Sequence, residues 1–177
     1  TQTLSGGAAV HSFQNADTGV AAGVEVEFRR ELFRDFRVGD NASYMYTNVQ
    51  LPEGGAYTNA QRSLQGASPY LVNADISYAP KFKNDTQLTA TLLYNLQGPR
   101  IHAVGISGLG DVKQEDLHTL DFVATYKLND HWNFKLQMTD LLNQDIVFKQ
   151  EVKDGRKLEV ERYGRGTTFE LGFSYTL

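Results

Sequence analysis

Large apolar side chains alternate strictly with small or polar ones over the last nine residues, 169–177. Successive side chains on a β-strand point to opposite faces, so this pattern predicts a strand with one apolar and one polar face. The strand is predicted to reach the final residue, Leu177, whereas the last residues of soluble domains usually fray. Such a strand is typical of a sheet that contacts lipid on one face and water on the other.

The composition permits a membrane sheet and disfavours membrane helices. Hydrophobic residues make up 41% of the 177 residues, and the mean hydropathy is −0.40. No stretch approaches the roughly 18 apolar residues that a spanning helix requires. In a membrane β-barrel only alternate residues face lipid, so the mean hydropathy stays modest. The 9 Tyr, 10 Phe and 16 Gly, against 4 Pro, favour strands and turns.

Seven segments with the same two-residue period are predicted to be strands. They are residues 20–32, 36–49, 70–79, 86–97, 116–128, 131–142 and 169–177. All seven are longer than the average globular strand of about 5–6 residues and are long enough for a tilted membrane strand of about 9–11. The small, polar residues 1–19 are predicted to hold the end of one strand and a turn at 15–19.

The predicted connections alternate between short and long. The short ones are 33–35, 80–85 and 129–130, and the long ones are 50–68, 98–115 and 143–165, the last with its own hairpin around Asp154 and Gly155. Outer-membrane barrels have tight periplasmic turns and long extracellular loops, whereas a soluble sandwich has no reason to sort its loops this way. The predicted fold is therefore all-β, with the antiparallel strands of a transmembrane barrel.

Aromatic side chains are placed where a barrel would meet the two membrane interfaces. Tyr70 and Tyr78 share a face and would lie roughly 20 Å apart along the membrane normal, close to the height of the apolar band. Trp132 follows a short turn, and Tyr175 lies near the end of the last strand. Amphipathic rings are favoured at such interfaces. These four residues are predicted to form an aromatic girdle.

The sequence offers little support for catalysis, cofactors or nucleic acid. The chain has no Cys, and its four His are scattered without metal-ligand spacing. The net charge of −4 argues against a nucleic-acid partner. Residues 105–110 are rich in Gly, but no helix follows them to hold a phosphate. Among the histidines, His118 falls on the apolar face of its strand. We expect no enzymatic activity, no catalytic residue, no metal and no cofactor.

Five segments together resemble the end of a TonB-dependent outer-membrane receptor, most closely the Bacteroidetes type. They read GVEVE at 23–27, SPYLVN at 68–73, DLLNQ at 140–144, YGRGTTF at 163–169 and GFSY at 172–175. The resemblance covers about residues 15–177. It implies a 22-stranded barrel around an N-terminal plug, and neither the plug nor a TonB-binding box is recognisable here. Residues 1–177 would then be the C-terminal part of such a barrel.

The resemblance also implies function and partners. Such receptors import a siderophore, cobalamin or oligosaccharide across the outer membrane, by a plug rearrangement that TonB drives. The chain would contact outer-membrane lipid directly, and the plug and TonB through an N-terminal part. Its end is similar to the signal read by the barrel assembly machinery, in which a polar residue, a glycine, an aromatic and a hydrophobic residue occupy fixed positions. Here these are Glu170, Gly172, Tyr175 and Leu177, the last in place of the usual Phe.

Ligand contacts are expected on the long loops, because loops carry recognition on a rigid scaffold. The candidates are Tyr57, Arg62, Arg100 and His102, with Lys149, Arg156 and Arg162; for each of them the sequence favours an ordinary solvated loop residue over a ligand contact. Asp75, Asp121 and Glu170 are expected in a hydrated lumen, in polar networks with Arg29, Arg37, Lys127 and Lys135. The alternative is a complete eight-stranded barrel with a structural or adhesion role, which requires residues 1–19 to form a first strand.

Overall fold

The alternating segments form β-strands in the computed structural model, which describes residues 2–3, 9–10, 16–82 and 86–177. The strands are β1 (Gln2–Thr3), β2 (Ala9–Val10), β3 (Thr18–Glu31), β4 (Phe36–Gln50), β5 (Gln61–Arg62), β6 (Tyr70–Tyr78), β7 (Gln87–Gln97), β8 (Arg100–Ala103), β9 (Val112–Gln114), β10 (Leu117–Lys127), β11 (Trp132–Thr139), β12 (Ile146–Glu151), β13 (Lys157–Tyr163) and β14 (Thr168–Tyr175). Among the described residues, no helix is long and apolar enough to cross a membrane.

Seven long strands form one antiparallel main sheet in the order β14-β11-β10-β7-β6-β4-β3, with β5 paired to the end of β4. Each strand therefore lies beside the next long strand in sequence. The connections at one end are short (32–35, 79–86 and 128–131), and those at the other end are long (51–69, 98–116 and 140–167). This confirms the predicted all-β, antiparallel fold and the alternation of short and long connections.

The register keeps polar residues beside polar residues across the main sheet. One row runs from Glu27 through Asn41, Asn73 and Asn95 to Thr119. A slip by one residue would move every side chain to the opposite face, so this alignment fixes one polar and one apolar face. The apolar face is uncovered: Leu171 is 83% exposed and Phe173 is 76% exposed.

The long loops fold into a second structure above the main sheet. Strands β8, β9, β12 and β13 form a four-stranded sheet in the order β13-β12-β9-β8. We call this sheet, together with residues 51–69, the loop platform. Three buried side chains, Leu117, Ile146 and Phe148, form a small core there, with Val112 packed against it. The predicted hairpin at Asp154 and Gly155 is confirmed as the turn between β12 and β13, where Gly155 has a φ of 79°.

Two predicted strand ends are wrong by a few residues. Strand β14 ends at Tyr175 rather than Leu177, although the Thr176 N–H still donates to the carbonyl of His131. Strand β11 ends at Thr139 rather than residue 142, because Asp140 has a φ of 56°, which no strand residue adopts.

The predicted turn at 15–19 is also wrong in its second half. Thr18 and Gly19 already belong to β3, since β4 extends to Gln50 and pairs with them. Residue 15 lies outside the described residues, as do residues 83–85 of the predicted turn at 80–85. Of the predicted strand end in residues 1–19, the described part is a short ladder between β1 and β2.

Strands β3 and β14 are the two edges of the main sheet. In the part of the chain that the structure describes, no strand joins them, and both are exposed along their whole length. Within the described residues, the main sheet is therefore open at both of its edges.

Candidate functional site

Two of the predicted ligand contacts, Tyr57 and Arg62, lie together inside the loop platform. Arg62 Nη1 donates to Asp111 Oδ1 at 2.9 Å, and its other terminal nitrogen donates to the carbonyl of Asn59. The Arg62 guanidinium lies 5.7 Å from the centre of the Tyr57 ring. The same Asp111 oxygen accepts the N–H of Gly105 at 2.8 Å. This cluster joins loop 51–69 to loop 98–116.

The other two candidates, Arg100 and His102, lie on β8, the edge strand of the four-stranded platform sheet. Arg100 Nε donates to Gln114 Oε1 at 3.0 Å, and the His102 ring packs 4.6 Å from the Phe148 ring. The structure thus brings the four candidates together as two pairs on one platform. Each has an intramolecular partner, and ligand contact by any of them stays a prediction.

The remaining loop candidates are held by ion pairs. Lys149 lies 3.1 Å from Glu115, and Arg156 lies 2.6 Å from Asp154. Arg162 bridges Glu159 at 2.7 Å and Asp145 at 3.1 Å. The hydrogen bond from Arg162 lowers the pKa of Glu159, and the two carboxylates in turn raise the pKa of Arg162. The Lys149–Glu115 pair joins the β12–β13 hairpin to the residue that follows β9, and the other pairs lie within residues 145–162.

Residues of the SPYLVN and DLLNQ segments lie where the platform meets the main sheet. The Tyr70 ring covers Gly98, where an added Cβ would come within 2.9 Å of it, and its hydroxyl donates to Asp116 at 3.1 Å. The Gln144 side chain accepts from the His118 N–H and donates to the carbonyl of Asp116. These two segments are thus packing and turn elements at the strand ends, whereas GVEVE at 23–27 lies within β3.

Asp140 anchors the end of β11 in the same region. Its N–H donates to Asp121 at 2.8 Å, its carbonyl accepts from Thr167 at 2.9 Å, and its carboxylate lies 3.5 Å from Arg165. The loop that follows β11 is therefore held at both its beginning and its end.

The polar face of the main sheet carries two of the three predicted lumenal acids together. Asp75 and Asp121 line one groove with Glu27 and Arg29, which form an ion pair of 2.9 Å. Glu170 lies away from them on β14, opposite Gln137. Lys127 pairs with Asp130 in the adjacent turn. Among the described residues, no three His, Asp or Glu side chains are grouped so as to hold a metal ion.

The four girdle candidates lie at the two ends of the apolar face. Trp132 and Tyr175 are cross-strand partners with ring centres 4.9 Å apart, and Tyr78 packs 4.6 Å from Phe36, all beside the short turns. Tyr70 lies at the opposite end, beside the long loops. Of the assembly-signal residues, Glu170 and Gly172 share the polar face of β14, Tyr175 ends that strand on the apolar face, and Leu177 lies beyond it. Both roles stay predictions.

Sequence reasoning missed two polar pairs. Asp111, the buried partner of Arg62, lies 49 residues away along the chain, and no local signal could have identified it. Tyr94 lies hydrogen-bonded to His118, with 2.6 Å between its hydroxyl and Nδ1. The sequence predicts His118 on the apolar face of its strand. Its cross-strand partner on β7 is Leu96, and Tyr94 lies two residues from Leu96 on the same face, so aligning the two predicted strands could have identified the pair. The bond satisfies two polar groups on an otherwise apolar surface.

Comparisons with known proteins agree with this arrangement. No curated protein and no solved structure matches the chain. A model of the outer membrane protein beta-barrel family matches residues 1–175, nearly the whole sequence. With its amphipathic antiparallel sheet, short turns at one end and long loops at the other, the chain belongs to this β-barrel family and to the outer membrane of Gram-negative bacteria.

Proposed function

We propose that the chain is the C-terminal barrel wall of a TonB-dependent transporter that imports a scarce solute, and that it has no enzymatic activity. The observation that carries the proposal is the open main sheet, whose edges β3 and β14 are not joined within the described residues. Unpaired backbone groups cost several kcal/mol each in a bilayer, so such edges require further strands. A barrel of about 22 strands supplies them on both sides.

The loop platform supports a receptor role within this proposal. Buried and hydrogen-bonded contacts join all three long loops, so a recognition surface would be preformed rather than ordered on binding. Preformed surfaces bind with a smaller entropic cost. The polar face, with Asp75, Asp121 and Arg29, would line the passage and face the plug. The barrel assembly machinery would recognise the β14 end.

The test is an uptake assay in cells of the source bacterium. A strain lacking the gene, a strain lacking TonB activity and the parent strain are given a labelled ferric siderophore, cobalamin or an oligosaccharide. We expect uptake of one of the three to fall to the background level in both deficient strains and to return when the gene is restored. Equal uptake by all three strains for every solute in a broad panel would contradict the proposal.

The alternative is a complete eight-stranded barrel with a structural or adhesion role. The length of 177 residues suits it, because eight strands with loops need a chain of about this size. It requires an eighth strand between β3 and β14. The mass of the protein purified from outer membranes separates the two hypotheses: a small barrel has a mass near 19.8 kDa, whereas the receptor with its plug is several times heavier.

A further inference from the structure

A groove in the loop platform is lined by four lysines. Lys113, Lys149, Lys153 and Lys157 surround a cavity of about 460 Å³, to which all three long loops contribute. Two carboxylates, Glu115 and Glu151, share the groove, and a third, Asp111, is already neutralised by Arg62. The groove therefore carries a positive surplus, although the chain as a whole has a net charge of −4.

Two of these lysines are held directly opposite each other. Lys149 on β12 is the cross-strand partner of Lys113 on β9, and like charges at such positions destabilise a sheet. Lys149 is compensated by Glu115 at 3.1 Å. Within the described residues, Lys113, Lys153 and Lys157 form no ion pair with a carboxylate, so three ammonium groups are available to an added anion.

The backbone around the groove is built to hold these side chains. Gly108 has a φ of 81°, a backbone conformation that favours glycine, and the Lys153 stem lies beside it, with Cε 2.9 Å from the position that a Cβ would occupy. The Gly108 N–H donates to Thr58 Oγ1 at 3.0 Å, and the Gly110 N–H donates to the carbonyl of Glu151 at 2.8 Å. The three loops that form the walls are thus fixed to one another.

We propose that this groove binds a phosphorylated polyanion, with Lys113, Lys153 and Lys157 as its main contacts. Phosphate oxygens accept several charge-assisted hydrogen bonds at once, and lysine ammonium groups supply donors without a fixed geometry. The anion would also relieve the repulsion between Lys113 and Lys149. The inference rests on the outward orientation of the long loops in the proposed function, but it requires neither plug nor TonB.

The phosphate groups could belong to a soluble solute or to a lipid headgroup at the outer surface. Both present the same chemistry to the lysines. Binding is therefore measured on the purified protein in zwitterionic detergent at low salt, with sodium tripolyphosphate as the probe. Bisphosphorylated lipid A in mixed micelles is then added as a competitor.

The variant Lys153→Gln/Lys157→Gln should bind tripolyphosphate about tenfold more weakly, because two charge-assisted contacts are lost. The matched control, Lys81→Gln/Lys135→Gln, removes the same charge outside the groove and should bind like the unmodified protein. Lys153→Arg/Lys157→Arg keeps the charges and should retain binding. Gel mobility before and after heating verifies that every variant is folded.

Three results would overturn the inference: no binding of tripolyphosphate, equal weakening in the groove and control variants, or full binding by the glutamine variant. Displacement of tripolyphosphate by lipid A would support the groove as a headgroup site, and binding without displacement would support it as a site for a soluble phosphorylated solute. Because the measurement needs no transport, its failure is distinct from a failure of TonB-dependent uptake.

Discussion

At the scale of single residues, the ion pair between Arg62 and Asp111 holds the loops together. Both side chains are only 5% exposed. Removing one partner of a buried pair leaves an uncompensated charge, which costs far more than the intact pair contributes. Asp111 also accepts the Gly105 N–H, so the pair connects two loops through both a charge and a backbone contact.

We predict that Asp111→Asn lowers the local stability of the platform by about 3 kcal/mol, since Arg62 loses its counter-charge while the side-chain size is kept. Hydrogen exchange of the 103–111 amides measures this change. Asp154→Asn is the matched control: its pair with Arg156 is exposed, so the loss should stay below about 1 kcal/mol. Equal protection in the two variants would show that the buried pair does not hold the loops.

His118 and Arg62 show what a sequence can and cannot reveal about single residues. The face on which His118 lies follows from the two-residue alternation, because His118 and its neighbours from Leu117 to Lys127 form one strand. Arg62 resembles any exposed loop arginine, since its partner Asp111 is distant in sequence and in another loop. The lysine groove could not be predicted from the sequence for the same reason, because its walls come from three separate loops.

At the scale of elements, adjacent residues of β14 lie on opposite faces of the main sheet, one apolar and one polar. Leu171 pairs with Leu136 on the apolar face, and the preceding Glu170 pairs with Gln137 on the polar face. Leu171→Arg should destabilise the protein in phospholipid bilayers by about 2–4 kcal/mol, because a charge would face the lipid. Urea titration of the bilayer-inserted protein measures the free energy of unfolding.

Glu170→Arg is the control for this prediction, because it places the same side chain on the neighbouring position of the same strand. It should change the free energy of unfolding by less than about 1 kcal/mol, since a polar lumen tolerates charge. If the two arginine variants were equally stable, the assignment of the apolar face to lipid would be incorrect.

The β12–β13 hairpin should be sensitive to acid. The pKa of Glu159 is lowered by the hydrogen bond from Arg162, with Lys149 contributing and Asp145 bound to the same guanidinium. A carboxylate whose folded pKa is depressed stabilises the fold above its unfolded pKa, about 4.3 for Glu, and this contribution is lost as the pH falls through the folded value.

The protection of the amides of residues 146–163, measured relative to the intrinsic exchange rate at each pH, should therefore be constant from about pH 7 to 5. It should fall below about pH 4. In Arg162→Gln the pKa of Glu159 returns toward its ordinary value, so the hairpin should be less protected at neutral pH and change less on acidification. An unaltered acid profile in this variant would exclude the Glu159–Arg162 pair as the cause.

Long strands were predictable and short ones were not. The seven main-sheet strands show enough alternation to be located within one or two residues at most ends. Strands β5, β8 and β9 have only two to four residues, too few to display a period, and they form because distant segments pair with them. Within the platform, the sequence predicted only the Asp154–Gly155 turn, because Asp-Gly is a typical dipeptide of tight hairpin turns.

At the scale of the whole molecule, the described part of the main sheet has almost no buried hydrophobic core of its own. Among the described residues, only four hydrophobic side chains are buried, and they lie in or beside the platform. Burying four side chains offsets only a small part of the conformational entropy that ordering the backbone costs. Lipid on the apolar face and pairing at the edges must supply the difference.

Disulfide crosslinking shows what pairs with the β14 edge. The chain has no Cys, so any disulfide within it must form between the introduced cysteines. Leu136→Cys/Leu171→Cys is the positive control, because these residues are direct cross-strand partners and opposed positions meet the distance limits of a disulfide. Val10→Cys is combined in turn with Cys at 169, 171 and 173.

In oxidised outer membranes the control pair should crosslink, and no Val10 pair should, because in a larger barrel other strands lie between β14 and β2. Mobility on non-reducing gels measures the crosslink. An efficient Val10–β14 disulfide would mean that the first residues close the sheet directly. The chain would then form the complete eight-stranded barrel, whose interior is filled by its own side chains, and solute import through it would be physically excluded.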